Sequence, residues 1–157
     1  MKFVRSIFCL ALLTFFLTTA GCSAEDKGLF STPMYGVEIT TEGEILQHFG
    51  ITITATDASS DQDGVTHFSC QVQFKDTTSA PFGDHTLNGV RQADDDFYIV
   101  GGIGYCPALN QYAGIEIIVD AQLESCLIVV DNSRIYVCSE TADFDAQALL
   151  THYQAWL

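Results

Sequence analysis

Apolar and polar residues alternate in several runs after residue 35. Strict alternation puts every second side chain on one face, as in a half-buried β-strand. The pattern predicts strands over residues 35–39, 51–56 and 68–74. Further strands are predicted over 97–105, an apolar run that glycines interrupt, over 115–119 and, as a short strand, over 87–91, and a hairpin is predicted over 125–138 that turns at 131–133. These runs indicate an antiparallel sheet.

Two segments have helical spacing instead. Thr41 followed by Glu44 matches a capping box and predicts a short N-terminal helix that ends at Gly50. At the C-terminus the apolar residues recur every three or four positions, with Asp145 near the helix start; they are Ala146, Leu149, Leu150, Tyr153, Trp156 and Leu157. The predicted fold class is α+β: a mostly antiparallel β-sheet with a C-terminal amphipathic helix and this short N-terminal helix.

The first 22 residues form a separate segment. Lys2 and Arg5 precede an apolar, uncharged run that ends in Thr19-Ala20-Gly21-Cys22. A basic start, an apolar stretch of about 7–15 residues and a small-residue exit are typical of an export signal. The Gly21-Cys22 junction resembles the lipobox of bacterial lipoprotein precursors. That resemblance implies that Cys22 becomes the first mature residue and carries fatty acyl chains such as palmitate.

Two alternatives to lipidation remain open. One is an ordinary secretory signal, cleaved near Ala20 or Ala24. The other is a retained transmembrane anchor, because residues 6–24 contain no charge, although the strongly apolar part is short for the roughly 20 residues that a bilayer requires.

The predicted organisation follows from this N-terminal segment. Residues 1–21 are assigned to the signal peptide, 22–34 to the lipid anchor and tether, and 35–157 to a single α+β domain. The 136 residues from Cys22 onward suit one domain. The expected location is the cell envelope, with the chain held outside the cytoplasm by its N-terminal lipid, on the outer membrane if the host has one.

The cysteine count predicts two disulfides. Of six cysteines, Cys9 lies in the signal and Cys22 in the lipobox, which leaves an even set in an oxidising compartment. Folding the hairpin at residues 131–133 places Cys126 opposite Cys138, so we expect these two to pair. Cys70 and Cys106 then pair by elimination. The alternative is a structural zinc site, which the long, irregular spacings disfavour.

Charge narrows the function classes. Without residues 1–21, which contain two basic residues and no acid, four basic residues oppose twenty acidic ones, for a formal net charge of −16. Such a field repels nucleic acid and anionic lipid headgroups and attracts cations and basic proteins. The other interpretation is that the acidic surface only keeps the protein soluble.

Three groups of residues are candidates for chemistry. Asp57, Asp61 and Asp63, followed by Gly64, resemble part of a calcium loop, although Cys70 stands where that loop carries its bidentate glutamate. Calcium is thus the only cofactor candidate. His67 lies two residues from Ser69 but without the sequence of a nucleophile elbow. Four strand tyrosines are candidates for a binding face: Tyr98, Tyr105, Tyr112 and Tyr136.

These observations lead to three functional hypotheses. The first is an envelope-anchored, non-enzymatic binding module, for example an inhibitor of or immunity factor against a basic protein. The second is a structural or adhesion component of the envelope, assisted by calcium. The third is a hydrolase that uses His67 or His85.

Overall fold

Eight antiparallel strands make up most of the computed structural model, which describes residues 28–75, 80–92 and 94–157. The strands are β1 (Phe30–Ile39), β2 (Ile45–Ser60), β3 (Val65–Phe74), β4 (His85–Gln92), β5 (Phe97–Cys106), β6 (Gln111–Asp120), β7 (Ser125–Val130) and β8 (Arg134–Ser139). Every strand that the alternating pattern predicted is present, most of them longer than predicted. The pattern identified the strands because each has one face directed into a core.

The strands close into a barrel, which corrects the predicted α+β class. Each strand pairs with the next one, and β1 also pairs with β8, from Tyr35 opposite Ser139 to Ile39 opposite Ile135. Closure leaves neither β1 nor β8 as an open edge. The prediction was wrong because alternation within a strand shows which face is buried but not which distant strand pairs with it.

Side chains pack the barrel interior. Eight strands leave an interior just wide enough to be filled in this way. The filling includes the rings of Phe49, Phe74 and Tyr136. Phe82, from the connection between β3 and β4, is fully buried there, with its ring 5.0 Å from that of Phe74 in an edge-on arrangement. The interior is therefore a hydrophobic core.

The C-terminal helix covers part of the outer wall and forms a second core. α1 (Ala146–His152) begins after Asp145, whose side chain accepts hydrogen bonds from the Gln147 and Ala148 backbone amides. A 3-10 helix (Gln154–Trp156) follows. The buried residues between helix and barrel come from α1, its C-cap and the outer faces of β1, β6, β7 and β8: Val37, Ile39, Ile118, Leu127, Ile135, Val137, Ala146, Leu150 and Tyr153. The C-terminal amphipathic helix is thus confirmed, although its α-helical part ends at His152.

The prediction of a short N-terminal helix was wrong. A tight turn occupies its place: the Gly43 amide donates to the Thr40 carbonyl oxygen, and the Glu44 amide donates to Thr40 Oγ1. Gly43 has a φ of +92°, which does not continue a right-handed helix. β2 then starts at Ile45, so the apolar residues that suggested a helical face lie along a strand.

The predicted hairpin register is confirmed, but the two disulfides are not formed. Cys126 lies opposite Cys138 across β7 and β8, yet all four cysteines of the described residues are free, buried thiols. Cys70 and Cys106 lie on β3 and β5, with β4 between them. The error arose because an even count and an opposed register allow a disulfide without requiring the sulfur atoms to reach bonding distance.

All strands and both hydrophobic clusters lie within residues 30–157, so this part of the chain forms its own barrel and core. β1 begins at Phe30, inside the segment assigned to the tether. The signal peptide and Cys22 lie outside the described residues. Within those residues, no helix is long and apolar enough to cross a membrane.

Candidate functional site

Arg134 lies at one mouth of the barrel and forms a close ion pair there. It shares the inward face of β8 with Tyr136 and Cys138. Its Nε donates to Glu38 Oε1 at 2.8 Å and its Nη2 to Glu38 Oε2 at 2.7 Å. Gln47 Nε2 donates to the same Oε2 at 2.7 Å. One positive charge is therefore neutralised inside the barrel mouth.

Arg91 is held at the opposite mouth. Its Nη1 donates to the Tyr98 hydroxyl at 2.8 Å, and the guanidinium lies 4.5 Å from the centre of the Tyr98 ring. Nε and Nη2 both donate to the backbone carbonyl oxygen of Asp95. Tyr98 belongs to the interior core. The second arginine of the described chain is thus also directed away from the outer wall.

The exposed charge of the described residues is consequently almost all negative. Fifteen acidic side chains are exposed, against one exposed lysine, Lys75. The acids are Glu42, Glu44, Asp57, Asp61, Asp63, Asp84, Asp94, Asp95, Asp96, Glu116, Glu124, Asp131, Glu140, Asp143 and Asp145. Because surface charges of one sign add, they produce a long-range field that attracts positively charged molecules.

An exposed apolar patch lies on the outer wall of β5 and β6. It consists of Ile103, Tyr105 and Tyr112, whose exposed fractions are 65%, 41% and 71%. We call these three residues the aromatic patch. Tyr105 and Tyr112 are opposite each other in the sheet, with ring centroids 5.6 Å apart. The outward Gly114, opposite Ile103, keeps the adjoining wall free of side chains. This arrangement offers apolar area that a partner could remove from water.

The four candidate tyrosines divide between the two sides of the barrel. Tyr98 and Tyr136 point into the core, whereas Tyr105 and Tyr112 point outward and contact each other. Burial raises the pKa of the Tyr136 hydroxyl, with a further contribution from Glu38 nearby. The predicted binding face is therefore reduced to the two outward tyrosines, and Ile103, which the sequence did not single out, joins them.

The calcium candidates occupy the turn between β2 and β3. Asp61 Oδ1 accepts hydrogen bonds from the backbone amides of Asp63 and Val65, at 2.9 and 3.0 Å, and Oδ2 lies 3.3 Å from His67 Nε2. The hydrogen bond from Val65 is the main reason that the pKa of Asp61 is lowered. Among the described residues, no group of three His, Cys, Asp or Glu side chains is placed to hold a metal ion. Calcium binding by Asp57, Asp61 and Asp63 stays a prediction.

The residues of the hydrolase hypothesis lie on the exposed surface. His67 contacts Asp61 at the β2–β3 turn, with 53% and 42% of the two side chains exposed. No hydrogen bond of the described residues joins His67 to Ser69 or to another hydroxyl. His85 lines a shallow depression on β3 and β4 together with Gln71, Gln73 and Asp84.

The four cysteines of residues 28–157 are buried thiols. Burial raises the pKa of the Cys70 thiol to about 12. The pKa of Cys126 is also raised, first by its hydrogen bond with the Cys138 thiol and then by burial. Since the thiolate is the reactive form, these thiols are unreactive in the folded barrel.

Comparisons with protein-family models, with curated proteins and with solved structures found no match to this chain. The fold defines the class, a closed eight-stranded up-and-down barrel with a filled interior. A fold of this kind carries many functions, so the residues of the outer surface, and not the fold, indicate the function.

Proposed function

We propose that this protein is a non-enzymatic binding module for a basic protein, held on the outside of the cell by a lipid on Cys22. The observation that carries the proposal is the placement of charge. Among the residues that the structure describes, Arg91 and Arg134 are held at the barrel mouths, and fifteen exposed acids face solvent with one exposed lysine, Lys75. An inhibitor of or immunity factor against a basic toxin or enzyme fits this surface.

Electrostatic attraction and apolar contact have separate roles in such a complex. The acidic surface accelerates the encounter with a positive partner and selects against negative ones. Affinity depends on a few well-buried contacts, among which tyrosine is frequent. The aromatic patch supplies such contacts, with Tyr105 further fixed by donating its hydroxyl hydrogen to Asn110 Oδ1 at 2.6 Å.

The lipid anchor would determine where the protein meets its partner. Acylation of Cys22 would leave residues 23–29 as a short link between the membrane and β1. The barrel would then meet proteins that cross or approach the envelope from outside, including secreted basic enzymes. Mass spectrometry of the protein from membranes and medium tests this part: a diacyl or triacyl Cys22 at the N-terminus supports it, and an unacylated chain that begins near Gly21 or Glu25, or an uncleaved chain, overturns it.

The binding proposal is tested by affinity capture followed by a measured affinity. We would immobilise the chain from Ser23, which contains the whole barrel, and pass envelope and secreted extracts over it at low salt. An unrelated domain of the same negative charge is the control. The expected result is a basic protein retained only on the barrel, with an affinity that falls by about tenfold or more between 50 and 300 mM salt.

Two results would contradict the proposal. If the control domain retains the same proteins, the acidic charge has no specific partner. If a retained protein binds with the same affinity at low and high salt, the electrostatic basis is wrong even though a partner exists.

A further inference from the structure

A groove runs along the outer wall beside the aromatic patch. Three neighbouring cavities of about 280, 300 and 200 Å³ follow one another there. Trp156 of the 3-10 helix lines the first two, and Glu116 lines the second and third. The third includes Gly114, which lies opposite Ile103 of the aromatic patch. We call these cavities together with the patch the wall groove.

The wall groove combines an apolar floor with negative charge at both ends. Phe97 and Trp156 meet edge-on at 5.7 Å, next to Asp94, Asp95 and Asp96. Glu116 and Asp131 line the third cavity. None of the residues that line the three cavities is a lysine or an arginine. The guanidinium of Arg91 is held by its contacts with the Asp95 carbonyl oxygen and Tyr98, and that of Arg134 by its contacts with Glu38.

We infer that the wall groove binds an extended segment of the partner that presents basic and apolar side chains in turn along one face, as a repeat of two basic and two apolar residues does; this inference rests on the proposed function. The acids that line the first and third cavities complement lysine or arginine, and the second cavity offers apolar contacts from Val129, Ile135 and Leu157. Phe97 lines the first cavity and Tyr105 belongs to the aromatic patch; they are eight positions apart on β5, which at about 3.3 Å per position is roughly 26 Å. An extended segment of about eight residues covers that distance. A second copy of this chain is a poor occupant because its surface is equally negative.

Trp156 makes the groove directly observable, because it is the only tryptophan of the chain. Its side chain is partly exposed between two of the cavities. The negative surroundings predict that caesium ions quench its fluorescence more strongly than iodide ions do at equal ionic strength. Stronger quenching by iodide would contradict the charge placement on which the inference depends.

The binding test uses the eight-residue peptide Lys-Lys-Leu-Leu-Lys-Lys-Leu-Leu, whose extended form has both residue types on each face, with the same peptide carrying glutamate in place of lysine as the control ligand. We expect the basic peptide to change the emission of Trp156 on titration into the chain from Ser23, and the acidic peptide to have no effect. Calorimetry provides the Kd independently. Binding of the basic peptide without any change at Trp156 would place it elsewhere and overturn the inference.

Two matched double variants separate the groove from the overall charge. Asp94→Asn with Asp96→Asn removes two charges from the groove, and Asp57→Asn with Asp63→Asn removes two from the β2–β3 turn. We expect the first pair to weaken peptide binding by about fivefold or more and the second by less than about twofold. A third variant, Tyr112→Ser, is expected to weaken the binding of the eight-residue peptide but not the binding of a four-residue peptide.

Measured with the captured basic protein, the same variants distinguish the proposed function from docking in the wall groove. If both double variants weaken its binding equally, the protein is an electrostatic binder but the wall groove is not the docking site. If the salt-dependent capture itself fails, the proposed function is wrong, whatever the peptide does.

Discussion

The ion pair at the barrel mouth can be tested by replacing Glu38 with glutamine. Glu38 is 6% exposed and accepts two hydrogen bonds from Arg134 and one from Gln47. Glutamine has nearly the same size but no charge, and its amide group replaces one accepting oxygen with a donor. Glu38→Gln therefore leaves the Arg134 charge without its partner while keeping the packing.

The expected loss of stability follows from the geometry. Removing one partner of a buried ion pair costs about 3–5 kcal/mol, since the remaining charge stays away from water. The Arg134 side chain is 23% exposed, so water partly compensates it. We therefore expect a decrease of about 2–4 kcal/mol in the free energy of unfolding. For a domain of this size, that is a fall in Tm of roughly 10 °C.

Urea unfolding followed by circular dichroism measures this change, with the m-value expected to stay constant. Glu44→Gln removes an exposed acid of the neighbouring turn and serves as the control, with a change below about 0.5 kcal/mol. Replacing both Glu38 and Arg134 by methionine should cost less than Glu38→Gln alone, because no unpaired charge remains. A Glu38→Gln variant as stable as Glu44→Gln would refute the reasoning.

Two further predictions concern the packed interior. Gly36→Ala should lower the free energy of unfolding by about 1–3 kcal/mol, because a Cβ would overlap the Phe49 ring. Gly114→Ala has open space around it and should change that free energy by less than about 0.5 kcal/mol in the same urea titration. Equal losses would mean that the side chains around Gly36 are not packed as described. In the folded chain from Ser23 we expect no reaction with Ellman's reagent and four reactive thiols after unfolding, and rapid labelling of the native protein would show that the barrel opens. The thiols are Cys70, Cys106, Cys126 and Cys138.

Local patterns in the sequence predicted the local structure well. The hairpin of β7 and β8 has the predicted register, with Cys126, Ile128 and Val130 opposite Cys138, Tyr136 and Arg134. Alternation, a polar turn and β-branched residues all lie within fourteen consecutive residues there. Such a segment specifies its own pairing because the turn fixes which residues face each other.

Long-range pairing and local turn chemistry were not predictable in the same way. Closure joins Tyr35 to Ser139 across more than a hundred residues, and no pattern within either strand identifies the other. Thr41 and Glu44 matched a capping box, but the side chain that caps belongs to Thr40 and it stabilises a turn. The glycine between them adopts a conformation suited to that turn rather than to a helix.

The sequence provided the charge of the candidate site but not its distribution. The sequence did indicate the direction of Arg134: it alternates with Tyr136 and Cys138 along the strand and therefore shares their inward face. For β5 both faces contain apolar residues, so alternation cannot show that Val100 points inward and Ile103 outward. Only the closed barrel determines that Ile103 meets no covering element while Phe97 packs against the C-terminal segment.

The placement of the arginines connects the fold to the proposed function. A filled interior leaves recognition to the outer wall, where a positive side chain would compete with a basic partner for the acids. Glu38 and Tyr98 prevent this by binding Arg134 and Arg91 at the two mouths. Releasing Arg134 by Glu38→Gln should consequently do more than destabilise the barrel. At temperatures where the variant remains folded, we expect weaker binding of the basic peptide, because the freed guanidinium competes for the acids and Arg134 lies between Ser133 and Ile135, which line the second cavity. An affinity equal to that of the unchanged protein would contradict this role of Glu38.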